Sequence, residues 1–181
     1  MLVSMNVFFD HTTYPPLFIR LKPSTVVAGE IGAFAMRSFK LGEVVVKSEW
    51  FQDDNIMSIE EYNKLDPDRH ELLKAHSTIV DDKLFIQADL NFLRPINYFN
   101  HSCSPNIGFD EQDNYVAITP IKKGEEFLLD YSFLNTNPDY RMECRCGSAA
   151  CRRIITGTEW QNADFVARNR NYFASTVRVK V

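Results

Sequence analysis

The chain has 181 residues, enough for one domain with a small appendage, and 45% of them are hydrophobic against 24% charged, so it can bury a proper core. Its net charge of −4 and pI near 5.6 argue against a mainly electrostatic nucleic-acid binder, which needs a basic surface. Fourteen Phe and seven Tyr point to a core and clefts built largely from rings.

The first 20 residues contain Asp10, His11, Pro15 and Pro16, without a basic start followed by an apolar run. The expectation is no signal peptide, no membrane span, and an intracellular protein, cytoplasmic or nuclear, or bound for a host cell if microbial. Residues 17–21, 26–28 and 44–46 are β-rich, and Leu41-Gly42-Glu43 reads as a turn. Ser58 and Glu61 form a capping-box pattern ahead of a helix carrying Ile59, Tyr62 and Leu65 on one face. Asp66-Pro67 offers a second N-cap, with proline at the first helical position, for a helix running to His76. Strand texture returns at 84–87, 115–118 and 127–131, punctuated by Asp113-Asn114 and Lys122-Lys123-Gly124. Thr158 and Gln161 suggest a last helix to about Arg168, and residues 176–181 alternate like a final strand. Many short strands with helical insertions predict an α+β fold that is mostly β.

Three constellations carry chemistry. Asn100-His101-Ser102-Cys103-Ser104-Pro105-Asn106 is a rigid polar loop, because Pro105 restricts Ser104 while Asn and Ser side chains bond nearby backbone. Gly124-Glu125-Glu126-Phe127-Leu128-Leu129-Asp130-Tyr131 is a turn, an apolar strand, and an acid beside a tyrosine. Cys144-x-Cys146-x4-Cys151 puts three thiols on one tight loop. A tetrahedral zinc needs a fourth ligand, and the remaining cysteine is Cys103. The alternatives for the cysteines are buried free thiols or a redox pair. Taken alone, Tyr131 is more often a core ring with its hydroxyl satisfied than a catalyst. His11, His70 and His76 show no ligand spacing with the cysteines and read as surface or helix residues.

Taken together and in this order, the motifs resemble the SET-domain protein lysine methyltransferase family: an Asn-His-Ser-Cys-x-Pro-Asn loop, a Glu-x-x-x-Asp-Tyr strand and a Cys-x-Cys-x4-Cys post-SET loop. Gly32-Ala33-Phe34-Ala35 before Leu41-Gly42-Glu43 is similar to the family's opening element. The resemblance covers about residues 20–157. Four positions depart from the pattern: Glu30 replaces the first glycine of Gly-x-Gly, Asn97 a frequent arginine, and Tyr98 a common phenylalanine. Leu129 stands where many members carry Phe or Tyr.

The resemblance implies a β-clip fold of short sheets with a pseudoknot and a zinc-bound post-SET loop. Residues 20–135 would be the SET domain with a helical insert at about 58–76. Residues 136–157 would be the zinc loop and 158–181 a C-terminal helix and tail, after an N-terminal segment 1–19. It implies S-adenosylmethionine as cofactor and one structural zinc on Cys103, Cys144, Cys146 and Cys151. Ile31, Gly32, Ala33, Tyr98, Asn100 and His101 would contact the cofactor and Tyr131 would be catalytic. Leu129 and Phe133 would line the substrate channel, Glu126 and Asp130 would brace the strand, and Tyr172 and Phe173 would either cover the cleft or complete a core. The implied partner is a lysine-bearing protein or peptide, histones being the commonest target, with no direct nucleic-acid or membrane binding. A catalytically silent peptide-binding module of the same fold is the rival reading.

Overall fold

A computed structural model of the chain describes residues 18–48, 55–80, 83–86 and 94–181; residues 1–17, with His11 and Leu17, lie outside them. β1 (Ile19–Pro23) and β2 (Ile31–Ala35) form an antiparallel ribbon with Ile19 opposite Ala35 and Pro23 opposite Ile31. Residues 26–28, expected as strand, form the turn between them. The Ser24 hydroxyl accepts the N–H groups of Val26 and Val27 at 3.1 and 3.0 Å, capturing the donors that a ladder would use. Gly29 closes the turn at φ +88°, a conformation open to glycine without strain.

β3 (Val44–Val46) is followed by a small module made of β4 (Asn55–Ser58), α1 (Ile59–Tyr62), α2 (Pro67–His76), β5 (Ser77–Val80) and β6 (Lys83–Ile86). Its strands pair antiparallel in the order β4-β6-β5. The caps form as the sequence predicts: Ser58 and Glu61 make a reciprocal capping box, and the Asp66 side chain accepts from the Arg69 N–H with Pro67 in the first turn. Tyr62, Leu84 and Ile86 give the module its own buried cluster. His70 is a helix residue stacked on Tyr62 at 4.0 Å.

After a 3₁₀ turn at Pro95–Tyr98 come β7 (Asn100–His101), β8 (Ile107–Phe109), β9 (Tyr115–Ala117) and β10 (Leu128–Leu129). With β3 they build a five-stranded sheet in the order β3-β9-β8-β10-β7. β10 runs parallel to both β7 and β8, with Leu128 opposite Asn100 and Leu129 opposite His101 and Ile107. Because β7 and β8 are consecutive in sequence yet flank β10, residues 102–106 must cross over that strand. This is the interleaving that the resemblance implies.

The expected strand at 127–131 is shorter than its apolar run. Asp130 ends it by accepting the Ser132 N–H, starting a 3₁₀ turn at Tyr131–Phe133. Then follow β11 (Arg141–Glu143) and β12 (Ile154–Thr156), an antiparallel pair, and the helices α3 (Ala163–Asn169) and α4 (Ser175–Arg178). The helix expected from Thr158 starts later. Glu159 turns back to Thr156, and Asn162 caps α3 by accepting the Phe165 N–H at 3.0 Å. Residues 176–181 are not a strand. Asp113 takes the Ser175 N–H and Arg178 guanidinium at 2.7 and 2.9 Å, and only Val177 of the alternating valines enters the core, with Val179 81% exposed.

The main core is aromatic, with Phe39, Phe99, Phe127, Phe133, Phe165 and Phe173 all buried. Phe39 meets Phe127 edge-on at 5.6 Å, and Phe133 meets Phe173 at 5.7 Å, separations at which rings attract beyond area burial. Tyr172 lies against Gly108, where a Cβ would come within 2.8 Å of its own. Residues 172 and 173 thus complete the core.

Candidate functional site

The crossing loop is fastened to β10 by side chains that imitate backbone. Asn106 donates to the Glu126 carbonyl at 2.7 Å and accepts the Leu128 N–H at 2.8 Å, while the Ser102 N–H donates to the Leu129 carbonyl at 3.0 Å. These bonds satisfy strand donors and acceptors that two-residue ladders leave open. Asn100 and His101 are thereby set beside Tyr131.

Glu126 sits at the centre of the opening element. Its buried carboxylate accepts from Ser24 Oγ at 2.8 Å, from the Thr25 N–H and hydroxyl at 2.7 Å each, and from Asn100 Nδ2 at 2.9 Å. Burial works to raise its pKa, but the donated bonds outweigh that and hold it below the usual carboxylate value. Asn100 Nδ2 also donates to the Ile31 carbonyl at 3.1 Å, so one amide ties β7 to both β2 and Glu126. A Cβ on Gly32 would overlap the Glu126 carboxylate. This glycine is therefore required by its neighbour within the fold, and Ala33 beside it is fully buried.

His101 is buried and its Nδ1 accepts the Tyr131 N–H at 3.2 Å. The ring proton is therefore assigned to Nε2, which lies 3.5 Å from Cys103 Sγ. Burial drives the imidazole pKa down to about 4 despite the nearby Asp130 carboxylate, so the ring is neutral near pH 7. Tyr131 is half-buried and its hydroxyl donates to the Phe99 carbonyl at 3.0 Å. Burial, then the neighbouring Tyr140 and Glu30, push that phenol well above its ordinary pKa. It stays protonated.

Cys103, Cys144, Cys146 and Cys151 converge, with all four sulfurs within 4.8 Å of one another. The Cys103–Cys144 and Cys144–Cys151 sulfur separations are 3.8 and 3.6 Å. Four thiolates at about 2.3 Å from a tetrahedral zinc lie about 3.8 Å apart, so the donor set and spacing fit that ion. Two backbone N–H groups, of Arg152 to Cys103 Sγ at 3.4 Å and of Cys103 to Cys146 Sγ at 3.5 Å, suit sulfurs carrying negative charge. The convergence of all four differs from a Cys144–Cys146 redox pair standing alone.

Arg152, which the sequence reading did not single out, joins this loop to the Tyr131 segment. Its guanidinium donates to Asp130 Oδ1 at 2.6 Å and reaches Ser132 Oγ at 3.4 Å, over the Phe165 ring at 4.8 Å. Asp130 is 2% exposed and lies 3.8 Å from His101 Nδ1. The one available signal was adjacency: Arg152 follows the last cysteine directly.

These parts enclose a cavity of about 480 Å³, within the size range of small-molecule and cofactor sites. Its walls include Glu30 and Ile31 from β2 and the turn before it, Tyr98, Asn100 and His101, then Tyr131, and Met142 to Cys146 from the cysteine loop. Of the expected cofactor contacts, Ile31, Tyr98, Asn100 and His101 line it, while Gly32 and Ala33 do not. Leu129 and Phe133 lie outside that lining and within the core. Phe133, expected as a channel wall, is fully buried beside Phe165 and Phe173 because the C-terminal segment folds over it.

Among the described residues, no helix is long and apolar enough to cross a membrane. The chain is 38% identical over 66 residues to histone-lysine N-methyltransferase 2D of Homo sapiens, a match covering 33% of this chain and 1% of that protein. It is 31% identical over 124 residues to histone-lysine N-methyltransferase ash1 of Drosophila melanogaster, covering 65% of this chain and 5% of that one. The matches thus span only a small part of these relatives. A solved active polycomb repressive complex 2 in the basal state aligns at 22% identity and a TM-score of 0.42, over 62% of this chain and 15% of that one. The SET domain family model matches residues 30–132, more than half of the chain and the span that holds β2, Asn100, His101 and Tyr131, and the chain belongs to the SET-domain family.

Proposed function

We propose that the chain is an S-adenosylmethionine-dependent protein lysine N-methyltransferase with one structural zinc on Cys103, Cys144, Cys146 and Cys151. The observation that carries this reading is that all three sequence motifs wall the same cavity: Asn100 and His101, Tyr131, and Cys144 to Cys146. Relatives named as histone-lysine N-methyltransferases support a lysine in a histone or other basic protein as the acceptor. A nuclear or other intracellular site accords with that acceptor.

When bound, S-adenosylmethionine supplies a methyl group activated on a sulfonium. Ile31, Tyr98, Asn100 and His101 would hold it in the cavity, and the methyl would be supplied to lysine Nζ. The amine must first lose a proton to bulk water, and an exposed lysine has a pKa near 10.4. An apolar channel beside a cation disfavours the ammonium, and collinear placement of amine and methyl supplies the remaining acceleration. Tyr131, protonated and anchored through its hydroxyl to the Phe99 carbonyl, orients the amine and stabilises charge around the methyl rather than removing the proton. Asn100 holds the β2 backbone against the cavity, and neutral His101 links Tyr131 to the cysteine cluster.

Calorimetric titration with S-adenosylmethionine, with elemental analysis of the same sample, tests the reading. One bound cofactor and one zinc per chain are expected, and Asn100→Ala should weaken the cofactor about tenfold, as loss of the part-buried charge-assisted bond to Glu126 loosens β2. Absence of both binding and zinc would refute it.

A further inference from the structure

Two amides on the cavity wall are fixed in opposite senses by their neighbours. Asn97, which stands where the family often carries an arginine, lies in the 3₁₀ turn Pro95–Tyr98 and lines the cavity together with Asn100. Its Oδ1 accepts the Arg94 N–H at 2.8 Å, and its own N–H donates to the Arg94 carbonyl at 3.0 Å. A backbone N–H can only donate, so the orientation of the amide is settled by chemistry and Nδ2 is the group left over. Among the described residues, nothing engages that Nδ2. Asn100 is the reverse case. Its Nδ2 donates to the Ile31 carbonyl at 3.1 Å and to Glu126 Oε1 at 2.9 Å. The carbonyl can only accept, and the carboxylate, which already receives Ser24 and Thr25, does the same. Both amide hydrogens are thereby used, and Oδ1 is left over. Among the described residues, Arg152 Nε is the one buried side-chain nitrogen or oxygen without a hydrogen bond. Asn100 Oδ1 is therefore open, on a residue that lines the cavity.

We propose that Asn97 is a specificity-determining residue that donates to the carboxylate at the amino-acid end of the cofactor, while the Asn100 amide oxygen takes the ammonium. The inference rests on the methyltransferase reading and deepens it. The Asn100 oxygen is backed, through its own amide, by the charge on Glu126, and hydrogen bonds in series polarise one another. That oxygen therefore prefers a donor that carries positive charge over a neutral amine or hydroxyl. S-adenosylmethionine has two cationic groups. The sulfonium has no N–H or O–H to give, so the ammonium is the partner. The carboxylate sits on the same carbon as the ammonium, and the unpartnered donor three residues from Asn100 is Asn97 Nδ2. Arg145, the one Lys or Arg among the described lining residues, belongs to the cysteine loop and is held by Glu143 at 2.8 Å. A neutral amide thus does the work usually given to a cation, and affinity at this end depends on the fixed amide geometry.

The test is calorimetric titration of the zinc-loaded protein with S-adenosylmethionine and with decarboxylated S-adenosylmethionine, which keeps the adenosine, sulfonium and ammonium. The natural chain should favour the carboxylated ligand by about tenfold, the low end for a hydrogen bond to a charged group, because Asn97 is exposed. Asn97→Asp keeps an oxygen for the Arg94 N–H and replaces the free donor by an acceptor of the same shape. It should weaken S-adenosylmethionine about tenfold and leave the decarboxylated ligand within about twofold. Asn97→Ser, which keeps a capping oxygen without adding charge, should weaken S-adenosylmethionine alone, by about threefold. Equal weakening of both ligands would mean that the amide faces the adenosine or only shapes the turn. That result, or unchanged affinity for both ligands in both variants, overturns the proposal while the methyltransferase reading stands. Failure of the natural chain to bind S-adenosylmethionine overturns both.

Discussion

Replacing Arg152 by Met removes the counter-charge of the most buried carboxylate in the site while keeping the apolar stem. Asp130 is 2% exposed and receives the Arg152 guanidinium at 2.6 Å, its other close donor being the Ser132 N–H at 3.0 Å. Breaking a buried ion pair from one side costs about 3–5 kcal/mol. Here the arginine side chain is 24% exposed and Ser132 remains, so the lower end, about 3 kcal/mol, is expected. For a chain of this length that corresponds to a fall in Tm of about 6–12 °C. Zinc content should not change, because the contact from residue 152 to Cys103 Sγ is a backbone N–H that any residue but proline supplies. Adding Asp130→Asn to Arg152→Met should recover part of the loss, since an amide leaves no uncompensated charge. Urea melts of the zinc-loaded proteins, with elemental analysis of each, provide the assay. Destabilisation below about 0.5 kcal/mol, or a double variant no better than the single, would refute the assignment of Arg152 as the charge partner holding the cysteine loop to Tyr131.

Gly32→Ala should cost about 1–3 kcal/mol by overpacking against Glu126, and weaken the cofactor because Asn100 shares that carboxylate; a melt and a titration read both. Glu126 has a folded-state pKa below its ordinary value, so its contribution is full above about pH 4.3 and is lost as pH falls through the lower, folded value. Glu126→Gln should therefore be less stable than the natural chain at pH 7, by about 1–3 kcal/mol, with the gap narrowing in acid melts. Cys103→Ser should release zinc and lower stability, the ligand being 41 residues before its nearest partner in sequence, as elemental analysis and melting will show.

The parts of the fold written in short-range signals were legible in the sequence. The capping box at Ser58 and Glu61 and the Asp66-Pro67 start form as read, because caps depend on residues within one turn. The cysteine arithmetic also anticipates the cluster that converges in space. Hydrophobic alternation at 176–181 misled, because Asp113, 62 residues away, pins Ser175 into a helical turn. Residues 26–28 misled for a local reason, the Ser24 hydroxyl taking ladder donors. In the site, Asn100, His101, Tyr98 and Ile31 line one cavity. Gly32 has a different reason for being glycine, because Glu126 approaches from 94 positions along the chain. Arg152 and the role of Phe133 were hidden for the same cause: long-range packing by the C-terminal segment has no periodicity to betray it.

Methyl transfer to lysine beside Tyr131 is the proposed reaction. The most direct measurement incubates the zinc-loaded chain with methyl-labelled S-adenosylmethionine and a panel of histones and cell lysate, then locates the label by mass spectrometry, in parallel with Tyr131→Phe. Label on a lysine side chain, with turnover reduced at least about a hundredfold in Tyr131→Phe while cofactor affinity stays within a few-fold, is the predicted result. Cofactor binding without any labelled lysine would make the chain a silent binding module. Undiminished labelling by Tyr131→Phe would contradict the placement of the chemistry at this hydroxyl.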